Sequence, residues 1–158
     1  MQISARADYA LRALCVLAAA EPGAVVKAAT IAEAQAIPRT FLDQILGDLR
    51  RAGIVESRRG PDGGHLLARP SYAITVADVI RVVDGPLALV HGGRPEEMVY
   101  PGAAEHLRDV WVAVRAALRQ VLERTSLEQV VDGRLPPQIT SLSEDPRSWI
   151  SVWPPPPT

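Results

Sequence analysis

The apolar residues between Thr30 and Arg69 change period part-way along, and the change marks the unit around which the chain is organised. Phe41, Leu42, Ile45, Leu46 and Leu49 fall at i, i+1, i+4, i+5 and i+8, one face of a 3.6-residue period. Arg39, Thr40, Asp43, Gln44, Gly47, Arg50 and Arg51 occupy the opposite face. Pro38 suits the first helical position, where its missing N–H is not needed. A shorter helix ahead of it is expected to bury Ile31 and Ala34 against that stripe, with Ile37 filling the angle between the two. Beyond them, Ile54–Arg58 and His65–Arg69 have the length of short strands, and Gly60, Pro61, Asp62, Gly63 and Gly64 are turn chemistry. The pattern predicts a helix-turn-helix followed at once by a two-stranded wing.

Elsewhere the period stays helical. Ser4 is a good N-cap for a first helix with Ala7, Ala10, Leu11, Leu14, Leu17 and Ala18 on one side, stopped by Glu21-Pro22-Gly23. Thr75 and Asp78 have capping-box spacing ahead of Val76, Val79, Ile80 and Val83, and Asp84-Gly85-Pro86 ends that helix. The stretch 87–102 holds Gly92, Gly93, Pro95 and Pro101 and reads as a linker loop. A long helix is predicted from Ala103 to about Arg124. Leu107, Val110, Trp111, Val114, Leu118, Val121 and Leu122 repeat along it at i, i+3, i+4, i+7, i+11, i+14 and i+15. Such a stripe must pack on something; a partner subunit is expected, with its own domain as the alternative. Thr125 to Glu128 spells another capping box, opening a short helix to Val131.

The expected fold is mainly α with a small β-wing. Residues 1–86 form a winged helix-turn-helix domain, 87–102 the linker, 103–132 a dimerisation helix with a short capping helix, and 133–158 a proline-rich tail. That tail, ending in Trp153 and four prolines, is expected to be mobile or to drape over a neighbour. The turn has one blemish. Glycine is frequent in such turns for its left-handed conformation, and here Ala36 stands instead, implying a small strain or a different turn.

Charge refines this picture. The net charge is −1, against a general polyanion binder, yet residues 36–70 carry six arginines and four acids, a local +2. From His91 onward seven arginines face nine acids. A single cysteine, Cys15, suits a reducing compartment and reads as a small buried hydrophobe. No apolar run reaches membrane-spanning length and no signal-peptide pattern opens the chain, so a cytoplasmic protein is expected.

The stretches ISARADYALRALCVLA, IAEAQAIPRTFLDQILGDLRRAGIVESRRGPDGG and ITVADVIRVVDGP resemble the Rrf2 family of bacterial transcription regulators. The resemblance covers about the first 86 residues strongly and the long helix more loosely. It implies a homodimer with crossing long helices that presents two winged helices to a palindromic double-stranded DNA site. It also implies that Arg39, Thr40, Asp43 and Gln44 at the start of the second helix, and Arg58 and Arg59 on the wing, touch DNA. Cluster-binding relatives carry three cysteines before the long helix; this chain has none from Gly85 to Leu107. Iron in such clusters is held chiefly by thiolates, so no cluster and no other cofactor is expected. His91, Glu96, Glu97, Glu105 and His106 match no metal-ligand spacing, and a solvated loop explains them.

The residue types suggest roles. Gln44 suits an adenine edge and Asp43 a cytosine amino group. Arg39, Arg50 and Arg51 suit phosphates, Arg59 a narrow minor groove, and His65 a strand position or a phosphate contact. His91, Tyr100 and Trp111 are candidates to border an effector pocket, and control by a small molecule or by a partner protein is expected. A repressor of this kind is the favoured expectation. The rival is a winged-helix module that binds protein instead of DNA. Nothing pairs a nucleophile with a base or cradles a phosphate between strand and helix, so an enzyme is not expected.

Overall fold

A computed structural model describes residues 2–150, so the end of the proline-rich tail, Trp153 and its prolines included, lies outside the described residues. The helices are α1 (Ala5–Ala18), α2 (Ala28–Gln35), α3 (Arg39–Arg51), α4 (Val76–Val83), α5 (Leu107–Leu122), α6 (Leu127–Asp132) and α7 (Pro137–Glu144). One antiparallel hairpin, β1 (Val55–Arg58) with β2 (Gly64–Leu67), follows α3, with Ser57 opposite His65. Val26 exchanges two backbone hydrogen bonds with His65, both 2.8 Å, and so adds a one-residue third rung to the wing.

Among the described residues, side-chain caps open three of the seven α-helices, α1, α4 and α6. The Ser4 hydroxyl accepts from Ala7 N–H at 2.9 Å and donates to Asp84 at 2.6 Å, tying the start of α1 to the end of α4. Thr75 and Asp78 form the expected capping box. The second box is shifted by one residue. Thr125 spends its hydroxyl on the Val121 carbonyl at 2.8 Å, and Ser126 with Gln129 caps α6 instead. Pro38 is likewise the N-cap of α3, not its first residue.

The core joins Ala10, Leu14 and Leu17 of α1 and Ile31 of α2 to Leu42, Ile45, Leu46 and Leu49 of α3. Ile37, Ile54, Ile74, Val79 and Leu127 also belong to it. Two residues expected inside are outside. Phe41 is 56% exposed, because Leu42 takes the inward position in the first turn, and its ring lies 6.5 Å from that of Tyr9. Ala34 is exposed because α2 turns Ala28, Ile31 and Ala32 inward, and Ala34 falls off that face. Leu127, from well beyond residue 86, is fully buried in the core, so α6 returns to the winged helix. Leu127 N–H to the Ile74 carbonyl (3.0 Å) and Val76 N–H to the Thr125 carbonyl (2.9 Å) hold it there.

The helix-turn-helix angle rests on a strained residue. Ala36 sits at φ 50°, ψ 46°, the left-handed region. Arg12 of α1 steadies the turn by donating to the Gln35 carbonyl, a C-terminal cap from another helix. An L-residue there costs roughly 1 kcal/mol relative to glycine, partly offset by glycine's larger unfolded-state entropy. Ala36→Gly is therefore expected to raise the urea midpoint, by up to about 1 kcal/mol of stability. A lowered midpoint would show that the turn is not left-handed in solution.

α5 is the long amphipathic helix expected, though shorter, since a 3-10 turn occupies Gly102–Ala104. None of its residues is buried; Val110 is 51% exposed and Leu107 36%. The first part of the proline-rich tail is structured, because Pro136 and Pro137 start α7 with the φ a helix entry needs. Among the described residues no helix is long and apolar enough to cross a membrane.

Candidate nucleic-acid interface

The start of α3 presents Arg39, Thr40, Asp43 and Gln44, all exposed, because the buried positions of the same helix fix its rotation. Arg39 Nε donates to Asp43 Oδ1 at 2.9 Å, an exposed i,i+4 pair worth a few tenths of a kcal/mol and easily opened. At the other end Arg51 is tied to Asp48, which also pairs with Arg6 of α1. Arg50 has no such partner among the described residues.

The wing stands beside this helix. Arg58 reaches Glu56 at 3.9 Å and donates to the Gly23 carbonyl at 3.5 Å. Arg59, at the exposed tip, makes no ion pair or hydrogen bond among the described residues. The hairpin depends on two glycines. A Cβ on Gly64 would lie 2.7 Å from the Val26 carbonyl oxygen, and one on Gly63 would overlap the Arg58 carbonyl. His65 is half-buried on β2, with Nδ1 2.9 Å from the Ser57 hydroxyl. Burial pushes its pKa down; Asp43 opposes this, while Arg39 and Arg50 add to it. Those three are residues of α3, and Arg39 borders the same open basin as His65, so helix and wing meet at one surface.

Sequence reasoning missed one part of that surface. Lys27, Ala28 and Ala29 at the start of α2 join Arg39, Arg58 and His65 around an open basin of about 440 Å³. α2 has no side-chain cap and no acid in its first turn, so its free N–H groups and positive dipole end are unopposed. Four cationic or titratable side chains (Lys27, Arg39, Arg58 and His65) with a helix N-terminus make a surface suited to a phosphate. The uncapped Lys27-Ala28-Ala29-Thr30 start was the available signal.

The predicted effector residues come together in part. His91 and Trp111 line a groove of about 500 Å³ with Leu89 and Val114. Tyr100 is not in that lining; a 3-10 turn at Pro95–Glu97, with Pro95 buried, stands between it and His91 along the chain. Of the other loop candidates, Glu97 forms no ion pair among the described residues, and the rest have carboxylate, imidazole or arginine neighbours. Glu96 binds Arg115, and His106 lies 3.3 Å from Glu105 and 3.7 Å from Asp109.

A recognition helix, a paired wing and an arginine-bearing tip on one scaffold define a winged helix-turn-helix transcriptional regulator. Residues 3–133 match the family model described as Rrf2, iron-dependent transcriptional regulator. The chain belongs to the Rrf2 family. It is 47% identical over 148 residues to a Mycobacterium tuberculosis H37Rv protein bearing the name of an HTH-type transcriptional regulator, covering 94% of this chain and 92% of that one. To the regulator CymR of Bacillus subtilis it is 33% identical over 130 residues, with 82% and 89% covered. The structure of that CymR, a global cysteine regulator, superposes with TM-score 0.73 at 31% identity, over 84% of this chain and 98% of that one. The IscR structure from T. potens gives 0.68 at 29%, over 85% and 89%.

The family's iron raises the question of ligands. The chain has one cysteine, Cys15, half-buried in α1, with its thiol pKa pushed up by burial. Among the described residues no three His, Cys, Asp or Glu side chains gather where they could hold a metal. This donor set does not fit a thiolate-held cluster.

Proposed function

We propose that the protein is a homodimeric repressor that binds a palindromic operator without an iron–sulfur cluster, in the cytoplasm, under the control of an effector. The observation that carries this reading is the shared surface of α3 and the wing: Thr40, Asp43 and Gln44 stand exposed on the helix, and Arg59 stands exposed on the wing with no ion pair among the described residues. Gln44 and Asp43 read base edges, Arg39 and the Lys27 basin hold phosphates, and Arg59 enters the minor groove. The unburied stripe of α5 supports the dimer, since two copies would cover it. Two-fold symmetry then sets half-sites about 10 bp apart, or a multiple.

The test starts with operators selected from a random DNA pool and measures binding by fluorescence anisotropy. A palindrome is expected, and Arg59→Ala should weaken binding by about tenfold, within the range for losing one base or groove contact. Unchanged affinity removes the wing from the interface, and failure to bind any duplex at low salt overturns the reading.

A further inference from the structure

Four guanidinium groups converge where the winged helix meets the long helix. Arg81 of α4, Arg94 of the linker, and Arg115 and Arg119 of α5 line an open cavity of about 480 Å³. Two carboxylates serve them: Glu96 accepts from Arg115, and Glu123 accepts from Arg81 and, at 2.9 Å, from Arg119. Four positive charges against these two negative ones leave a formal +2. Arg94 forms no ion pair among the described residues. Three of the four arginines belong to the segment from His91 onward, where acids outnumber arginines nine to seven, so background charge does not explain their gathering. The carboxylates feel the field. Glu96 is held below the usual range by a backbone hydrogen bond and by Arg115, and Glu123 by hydrogen bonds from Arg81 and Arg119.

We propose that this cavity binds a small anion with at least two negative charges, a dicarboxylate or a phosphate ester, and is the effector site. Guanidinium forks match the paired oxygens of carboxylate and phosphate, and the volume suits a small metabolite. Its arginines come from three elements that must keep a fixed relation if two winged helices are to match one operator. An anion joining Arg81 to Arg115 and Arg119 ties α4 to α5 and favours one angle between them. It shifts DNA affinity to the extent that it prefers that arrangement. Only this coupling rests on the function proposed above; anion binding itself does not.

Calorimetry on the full chain tests the site, titrating sodium succinate and, separately, inorganic phosphate, with sodium chloride at matched ionic strength as reference. A saturable heat with one site per chain is expected for succinate or phosphate and not for chloride. Succinate alone would assign a carboxylate ligand, phosphate alone a phosphate ester. Arg94→Ala, which breaks no ion pair, and Arg119→Gln should each weaken binding about tenfold, the loss of one charge-assisted contact. Arg59→Ala should leave it unchanged. No saturable binding by either anion, or wild-type affinity in both cavity variants, overturns the proposal. Anion binding that persists in a protein unable to bind DNA supports the site and counts against the regulator reading alone.

Discussion

Val110→Asp is expected to turn the proposed dimer into a monomer and to weaken operator binding by about 100-fold or more, the scale on which linked half-sites reinforce each other. In a single chain Val110 is half exposed and belongs to a helix with no buried residue. A carboxylate there costs the isolated fold little beyond helix propensity, under about 1 kcal/mol. In a dimer packed along the α5 stripe the same carboxylate would be desolvated without a partner, a penalty of several kcal/mol that appears twice. Light scattering at micromolar concentration should give half the wild-type mass, with the far-ultraviolet circular dichroism retained. A dimeric variant with undiminished affinity would place the subunit interface elsewhere.

Leu127→Ala should destabilise the winged helix itself, by about 2–5 kcal/mol, the usual cost of a fully buried leucine. Leu127 follows the long helix, yet it is 0% exposed among residues of α1, α3 and α4. The comparison is Val130→Ala, three residues further on and 41% exposed, where a change within about 0.5 kcal/mol is expected. Urea unfolding of the two variants discriminates. Equal midpoints would mean that α6 is an appendage and not a wall of the core.

The parts of the molecule legible in the chain are those whose causes lie within a few residues. The stripe of α3 and the Thr75–Asp78 capping box depend on neighbours three or four positions away. Ser4 caps the helix that begins beside it, and the wing turn follows from its own glycines. The same local logic placed Arg39, Thr40, Asp43 and Gln44 on an exposed face, because the buried face of α3 leaves them no other direction.

What could not be read involves partners far apart in sequence. Phe41 lost the inward position to Leu42 through the packing of α1 on α3, and it rests against Tyr9. Val26 joined the wing through His65, and Lys27 thereby became the rim of a basic basin. Residues 81, 94, 115 and 119 became one cluster only because α4, the linker and α5 meet. Spacing along a chain dictates which residues share a helix face. Which faces meet is settled by the burial of whole elements, and the choice of Leu127 for the core, like the gathering of four arginines outside it, was made there.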